Sequence, residues 1–111
     1  MLNEIEKKAV EELIEKLKLI YGDNLVKVIL YGSKARGDST EDSDIDIMVI
    51  LKDGLDIQKE KRNIRYISWE IDYNHNILTS VIVKNEKDYL KCDTPLLLNI
   101  NKEGKFLWMK R

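Results

Sequence analysis

The chain of 111 residues is 43% apolar and 35% charged, which excludes a disordered polypeptide and amounts to one folded domain, residues 1–111. Nineteen basic and twenty acidic residues nearly cancel, so the totals point neither to direct nucleic-acid binding nor to a membrane surface. Cys92 is the only cysteine, which excludes an internal disulfide and a cysteine-built metal site.

Apolar residues at 2, 5, 9, 10, 13, 14, 17, 20 and 21 repeat with the period of an amphipathic helix, and Gly22 can stop it. The start of the chain is charged and lacks the apolar run of a signal peptide, and no stretch approaches a membrane span. A reducing cytoplasm is the expected location. Leu25–Tyr31 is short and rich in β-branched residues, as a buried strand would be, and Gly32 breaks it. Residues 32–43 are polar, with a short Ser-Lys-Ala-Arg turn between two glycines. Ile45–Leu51 reads as a second strand.

A second helical period starts at Ile57 and runs through Ile64, Ile67 and Ile71. It carries Lys59, Lys61, Arg62 and Arg65, ordinarily a solvated face, and the aromatics Tyr66, Trp69 and Tyr73. Most of that aromatic stripe is expected in the core, with part of it left for a partner. Leu78–Val83 reads as a third strand and Glu86–Lys91 as a short helix. Thr94 and Pro95 have the types favoured at the cap and first position of another helix, which Gly104 ends. Phe106-Leu107-Trp108 is either a last strand or a packed tail, with Trp108 a packing anchor. The fold class expected is α/β (α+β): one small mixed sheet covered by helices.

Chemistry concentrates in Gly32-Ser33-Lys34-Ala35-Arg36-Gly37 and Ser43-Asp44-Ile45-Asp46. Asp44 and Asp46 are two apart on a strand, so both carboxylates project from one face while Ile45 and Ile47 turn to the core. Two such carboxylates repel, a cost that makes sense with a divalent cation between them, and oxygen ligands suit Mg²⁺ or Mn²⁺. Gly32 leaves a strand and Ser33 opens a short helix, so unpaired N–H groups and the Ser33 hydroxyl can receive a phosphate. Arg36 either touches phosphate or holds the loop by pairing with Asp38, Glu41 and Asp42; the residues leave both open.

G-S-x-A-R-G followed by S-D-x-D resembles the signature of the polymerase-β-like nucleotidyltransferases, most of all their minimal single-domain (MNT) branch. The tail, Pro95-Leu96-Leu97-Leu98 and Ile100–Gly104, is similar to that branch too. The resemblance implies a nucleotidyltransferase fold, Gly32 and Ser33 (with Arg36) on the phosphates of ATP or another nucleotide, and Asp44 and Asp46 as catalytic Mg²⁺ ligands. It also implies a small helical HEPN-domain protein as partner, the two forming a toxin–antitoxin pair with the nucleotidyltransferase as antitoxin.

The family's active members carry a third acidic residue on the next strand. Here that strand offers Thr79 and Ser80, and a hydroxyl cannot act as a base near neutral pH. Asp72, Glu86 and Asp88 are the substitutes to weigh, each ordinarily a surface residue. Three functions therefore stand: a nucleotidyltransferase acting on a protein, a binding module of the same fold that neutralises its partner by contact, and the catalytic part of an antibiotic nucleotidyltransferase. The third asks for more helical structure or a dimer than one short chain supplies. Whether the chain forms a homo-oligomer is left open, and His75, at a helix end, suits a structural or interface role at least as well as catalysis.

Overall fold

Asn3 starts the first helix by a reciprocal cap: its side chain accepts from the Glu6 N–H at 2.8 Å, and the Glu6 carboxylate accepts from the Asn3 N–H at 2.9 Å. In the computed structural model, which describes residues 2–40 and 43–111, this helix, α1, spans Glu4–Tyr21. Gly22–Asn24 form a single 3-10 turn, and β1 (Leu25–Tyr31), α2 (Ser33–Arg36) and β2 (Ile45–Leu51) follow. The rest of the chain is α3 (Ile57–His75), β3 (Thr79–Asn85), α4 (Glu86–Lys91), α5 (Pro95–Glu103) and β4 (Lys105–Met109). Thr94 caps α5 as expected, accepting from the Leu97 N–H at 3.2 Å, and Pro95 takes the first turn. The apolar tail resolves as a strand, because β1 has a free edge that only β4 covers.

The sheet order is β3-β2-β1-β4, with β1 antiparallel to both neighbours and β2 parallel to β3. On one face Ile45, Ile47, Val49 and Leu51 pack with Leu13 and Leu17 of α1 and Ile64 and Ile71 of α3. On the other, Ile29, Met48 and Ile50 meet Leu97 and Ile100 of α5. A strand buried on both faces reads as a near-continuous apolar run, which is why Asp46 stands out within β2. None of the described helices is long and apolar enough to cross a membrane.

Two expectations about helix faces need correction. Tyr66, Trp69 and Tyr73 are 72%, 59% and 89% exposed, so the aromatic stripe is surface rather than core. The sheet takes the Ile64–Ser68–Ile71 face of α3 instead, and that face turns the aromatics outward. In α1, Ile5 lies 60% exposed while Glu6 is buried, because the buried stripe contains Glu6, Val10, Leu13 and Leu17. His75, near the end of α3, places its Nε2 on the Glu12 carboxylate of α1, a contact that ties the two helices together.

Candidate nucleotide and metal site

β1 delivers Tyr31 directly opposite Asp46 of β2, and the chain then turns at Gly32 with φ 73° and ψ −157°. That conformation favours glycine, and the contact requires it as well. A Cβ on Gly32 would collide with Oδ2 of Asp46 and lie 3.2 Å from its Cγ. The glycine therefore lets a carboxylate rest against the backbone where the loop leaves the strand. Tyr31, beneath it, has its hydroxyl pushed up to about 12, first by burial and then by the Asp46 charge.

α2 is a single turn. The Ala35 and Arg36 N–H groups donate to the Gly32 carbonyl, and those of Gly37 and Asp38 to the Ser33 carbonyl. The N–H groups of Ser33 and Lys34, at the start of the turn, have no intrahelical acceptor. Gly37 closes the turn at φ 85°, a left-handed cap.

The turn is anchored from below. Lys34 is buried, and its Nζ lies 3.0 Å from the Glu6 carboxylate of α1. Removing one partner of a buried ion pair leaves the other charge uncompensated, at about 3–5 kcal/mol. Lys34→Met is expected to lower stability by an amount of that order, measurable by urea denaturation. A cycle with Glu6→Gln should show strong coupling, and additive losses would mean that the pair does not anchor the turn.

Asp46 lies in β2 and Asp44 just before the strand begins, one residue short of the expected position on it, and both are half-buried. The Asp46 carboxyl is raised above its ordinary value, mainly by burial and then by the Asp44 charge, while Arg36 opposes the shift. A carboxyl raised on folding costs stability when ionised. The cost is absent below the ordinary value of 3.8 and develops as pH rises through the folded value. Metal-free Asp46→Asn protein should therefore melt above the wild type at neutral pH, with the gap closing as pH falls toward 3.8. A gap that does not depend on pH would contradict this.

β3 brings Ser80 opposite Asp46 in parallel register, with Thr79 opposite Ile45. Ser80, not Thr79, thus occupies the place beside the Asp pair. Asp72 departs from its expected surface position. It is half-buried at the end of α3, accepts from the Thr79 hydroxyl at 2.8 Å and N–H at 3.2 Å, and is raised chiefly by burial, with the Asp44 charge adding to it. Glu86 and Asp88 follow the far end of β3, away from the pair. Among the described residues, no three His, Cys, Asp or Glu side chains gather as a metal-holding group. A carboxylate pair next to a glycine turn still fits Mg²⁺, which commonly takes one or two carboxylates and completes its shell with water and substrate phosphates.

Arg36 donates through Nε to Asp38 at 3.1 Å and through Nη1 to Glu103 of α5 at 3.0 Å. Its pairing with Asp38 matches the loop-holding alternative. Glu41 and Asp42, the other expected partners, lie outside the described residues. Sequence reading missed Glu103 and the Lys34–Glu6 pair. The spacing 2, 6, 10, 13, 17 already places Glu6 on the buried stripe of α1, and a carboxylate there calls for a buried cation.

Residues 7–106 match the family model described as "Nucleotidyltransferase domain". A Methanocaldococcus jannaschii protein named "Putative protein adenylyltransferase" is 36% identical over 102 residues, covering 90% of this chain and 67% of the relative. A crystal structure described as that of "a putative nucleotidyltransferase from Sulfolobus solfataricus" superposes with TM-score 0.59 at 21% identity, covering 93% of this chain and 79% of the other, a likeness of fold. A crystal structure of a mutant toxin–antitoxin pair, MntA-HpeT, gives TM-score 0.56 at 25% identity, covering 100% of this chain and 76% of the other.

Proposed function

The chain belongs to the nucleotidyltransferase-domain family, and on that footing we propose that it transfers AMP from ATP, with Mg²⁺, to a hydroxyl of a partner protein. The observation that supports this reading is the contact between Gly32 and the Asp46 carboxylate, which sets the glycine turn against one of the two proposed metal ligands. The relative named for protein adenylyl transfer supports AMP as the group and protein as the acceptor. The toxin–antitoxin neighbour supports a toxin as the partner, with this chain as its antitoxin, and the motif resemblance adds that the toxin is a small helical HEPN-domain protein.

In this reading the N–H groups at the start of α2 and the Ser33 hydroxyl bind the triphosphate. Asp44 and Asp46 hold the cation, and Arg36 fixes the loop and partly offsets the burial and repulsion that raise Asp46. Mg²⁺ bound there supplies positive charge against the phosphate oxygens. The acceptor oxygen attacks the α-phosphorus, the bond from that phosphorus to the pyrophosphate oxygen breaks, and pyrophosphate leaves. The hydroxyl proton passes to water or to a carboxylate of the site.

Incubation with a candidate helical HEPN-domain protein and ATP labelled in its α-phosphate tests the reading. Label should appear on the partner, and ATP labelled in its γ-phosphate should leave none. Tight complex formation without label would instead favour a second reading, which Ser80 beside Asp46 supports: a module that binds nucleotide and partner and neutralises by contact. Label on an aminoglycoside with no protein present would point to an antibiotic nucleotidyltransferase.

A further inference from the structure

The exposed flank of α3 and the free edge of the sheet form one groove. β3 is the edge strand, paired with β2 on one side only. Between it and α3 lies a cleft of about 540 Å³, walled by Lys61, Arg65 and Trp69 and floored by Thr79, Val81 and Val83. Arg62 and Tyr66 extend the rim beside Trp69. An unpaired strand edge with an apolar floor is a template for a further strand: beyond Thr79, whose N–H donates to Asp72, no described strand takes the main-chain groups of β3 on that side.

Charge identifies the occupant. On its other flank α3 is satisfied by α1, through Lys16 with Glu70 and His75 with Glu12. Among the described residues, Lys61, Arg62 and Arg65 make no ion pair, so three cations stand unpaired along the groove in a chain of net charge −1. A second copy fits badly. Pairing β3 with its own symmetry mate would bring these cations toward their counterparts with no carboxylate between them.

Position links the groove to the chemistry. Thr79 lines it and also holds Asp72, and the next residue, Ser80, lies opposite Asp46. We propose that an extended, acidic segment of the acceptor protein adds to β3 as a fifth strand, its carboxylates against Lys61, Arg62 and Arg65, so that its end presents the acceptor hydroxyl to the Asp44–Asp46 site. This rests on the reading that the acceptor is a protein, and it names the surface that recognises it. Main-chain pairing supplies affinity and the cations supply selectivity.

Hydrogen exchange of the β3 amides in the full chain tests this without relying on turnover. The probes are a peptide alternating Glu with Val and a control alternating Lys with Val. The acidic peptide should slow exchange in β3 by about tenfold, and the Arg62→Glu/Arg65→Glu variant should lose that protection while retaining its helical signal and ATP binding. Absent protection by the acidic peptide, equal protection by the basic one, or protection that survives the charge reversal would overturn it. So would protection of β3 by an oligouridylate, or by the chain itself at raised concentration, in place of the peptide. Loss of ATP binding in the wild type would instead defeat the nucleotidyltransferase reading, and it is measured separately.

Discussion

Replacing both Asp44 and Asp46 by Asn should lower label transfer to the partner by about 10³-fold, or about 4 kcal/mol of barrier. Asp46 sits against the Gly32 turn with Asp44 two residues before it, and each is the same size as Asn, so the change removes charge and leaves shape. Burial and mutual repulsion already raise Asp46, which means the variant should fold at least as well as the wild type. Two controls make the result specific: unchanged complex formation with the partner and a melting temperature that does not fall. Activity that survives the double change would remove these carboxylates from the chemistry.

Ser80→Asp should act in the opposite direction. Parallel pairing sets residue 80 beside Asp46, so an acid there would complete a three-carboxylate site and offer a base for the acceptor proton. A rise in transfer of about 10- to 100-fold is expected, because a positioned base commonly contributes about 10²–10⁴-fold and water or Asp72 already supplies part of that. A third carboxylate also adds repulsion, so the metal-free variant should melt lower and regain the loss with Mg²⁺. Unchanged transfer, with Mg²⁺ binding intact, would show that the missing acid does not limit turnover. Asp72 would then become the base to test next, since it lies half-buried within electrostatic reach of Asp44.

Local chemistry made the candidate residues legible in sequence. The alternation in Ile45-Asp46-Ile47 fixes which face each of those side chains takes, and a glycine between a strand and a short turn marks a backbone able to make a close contact. Ser80 could be assigned only to within a residue from sequence, and parallel pairing resolves it because the whole register of β3 follows from one pair. What failed depended on long-range packing. Tyr66, Trp69 and Tyr73 share a helical period with Ile64 and Ile71, and only the docking of α3 on the sheet decides which set is buried. Glu6 and Lys34 are distant in sequence, and Asp72 finds Thr79 only because β3 begins where α3 ends.

Calorimetric titration of the protein with ATP, with and without Mg²⁺, tests most directly the proposed metal–nucleotide site at Gly32–Ser33 and Asp44–Asp46. The site predicts binding that requires Mg²⁺ in the wild type and disappears in the Asp44→Asn/Asp46→Asn variant. Binding indifferent to both Mg²⁺ and the two carboxylates, or no binding at all, would contradict it.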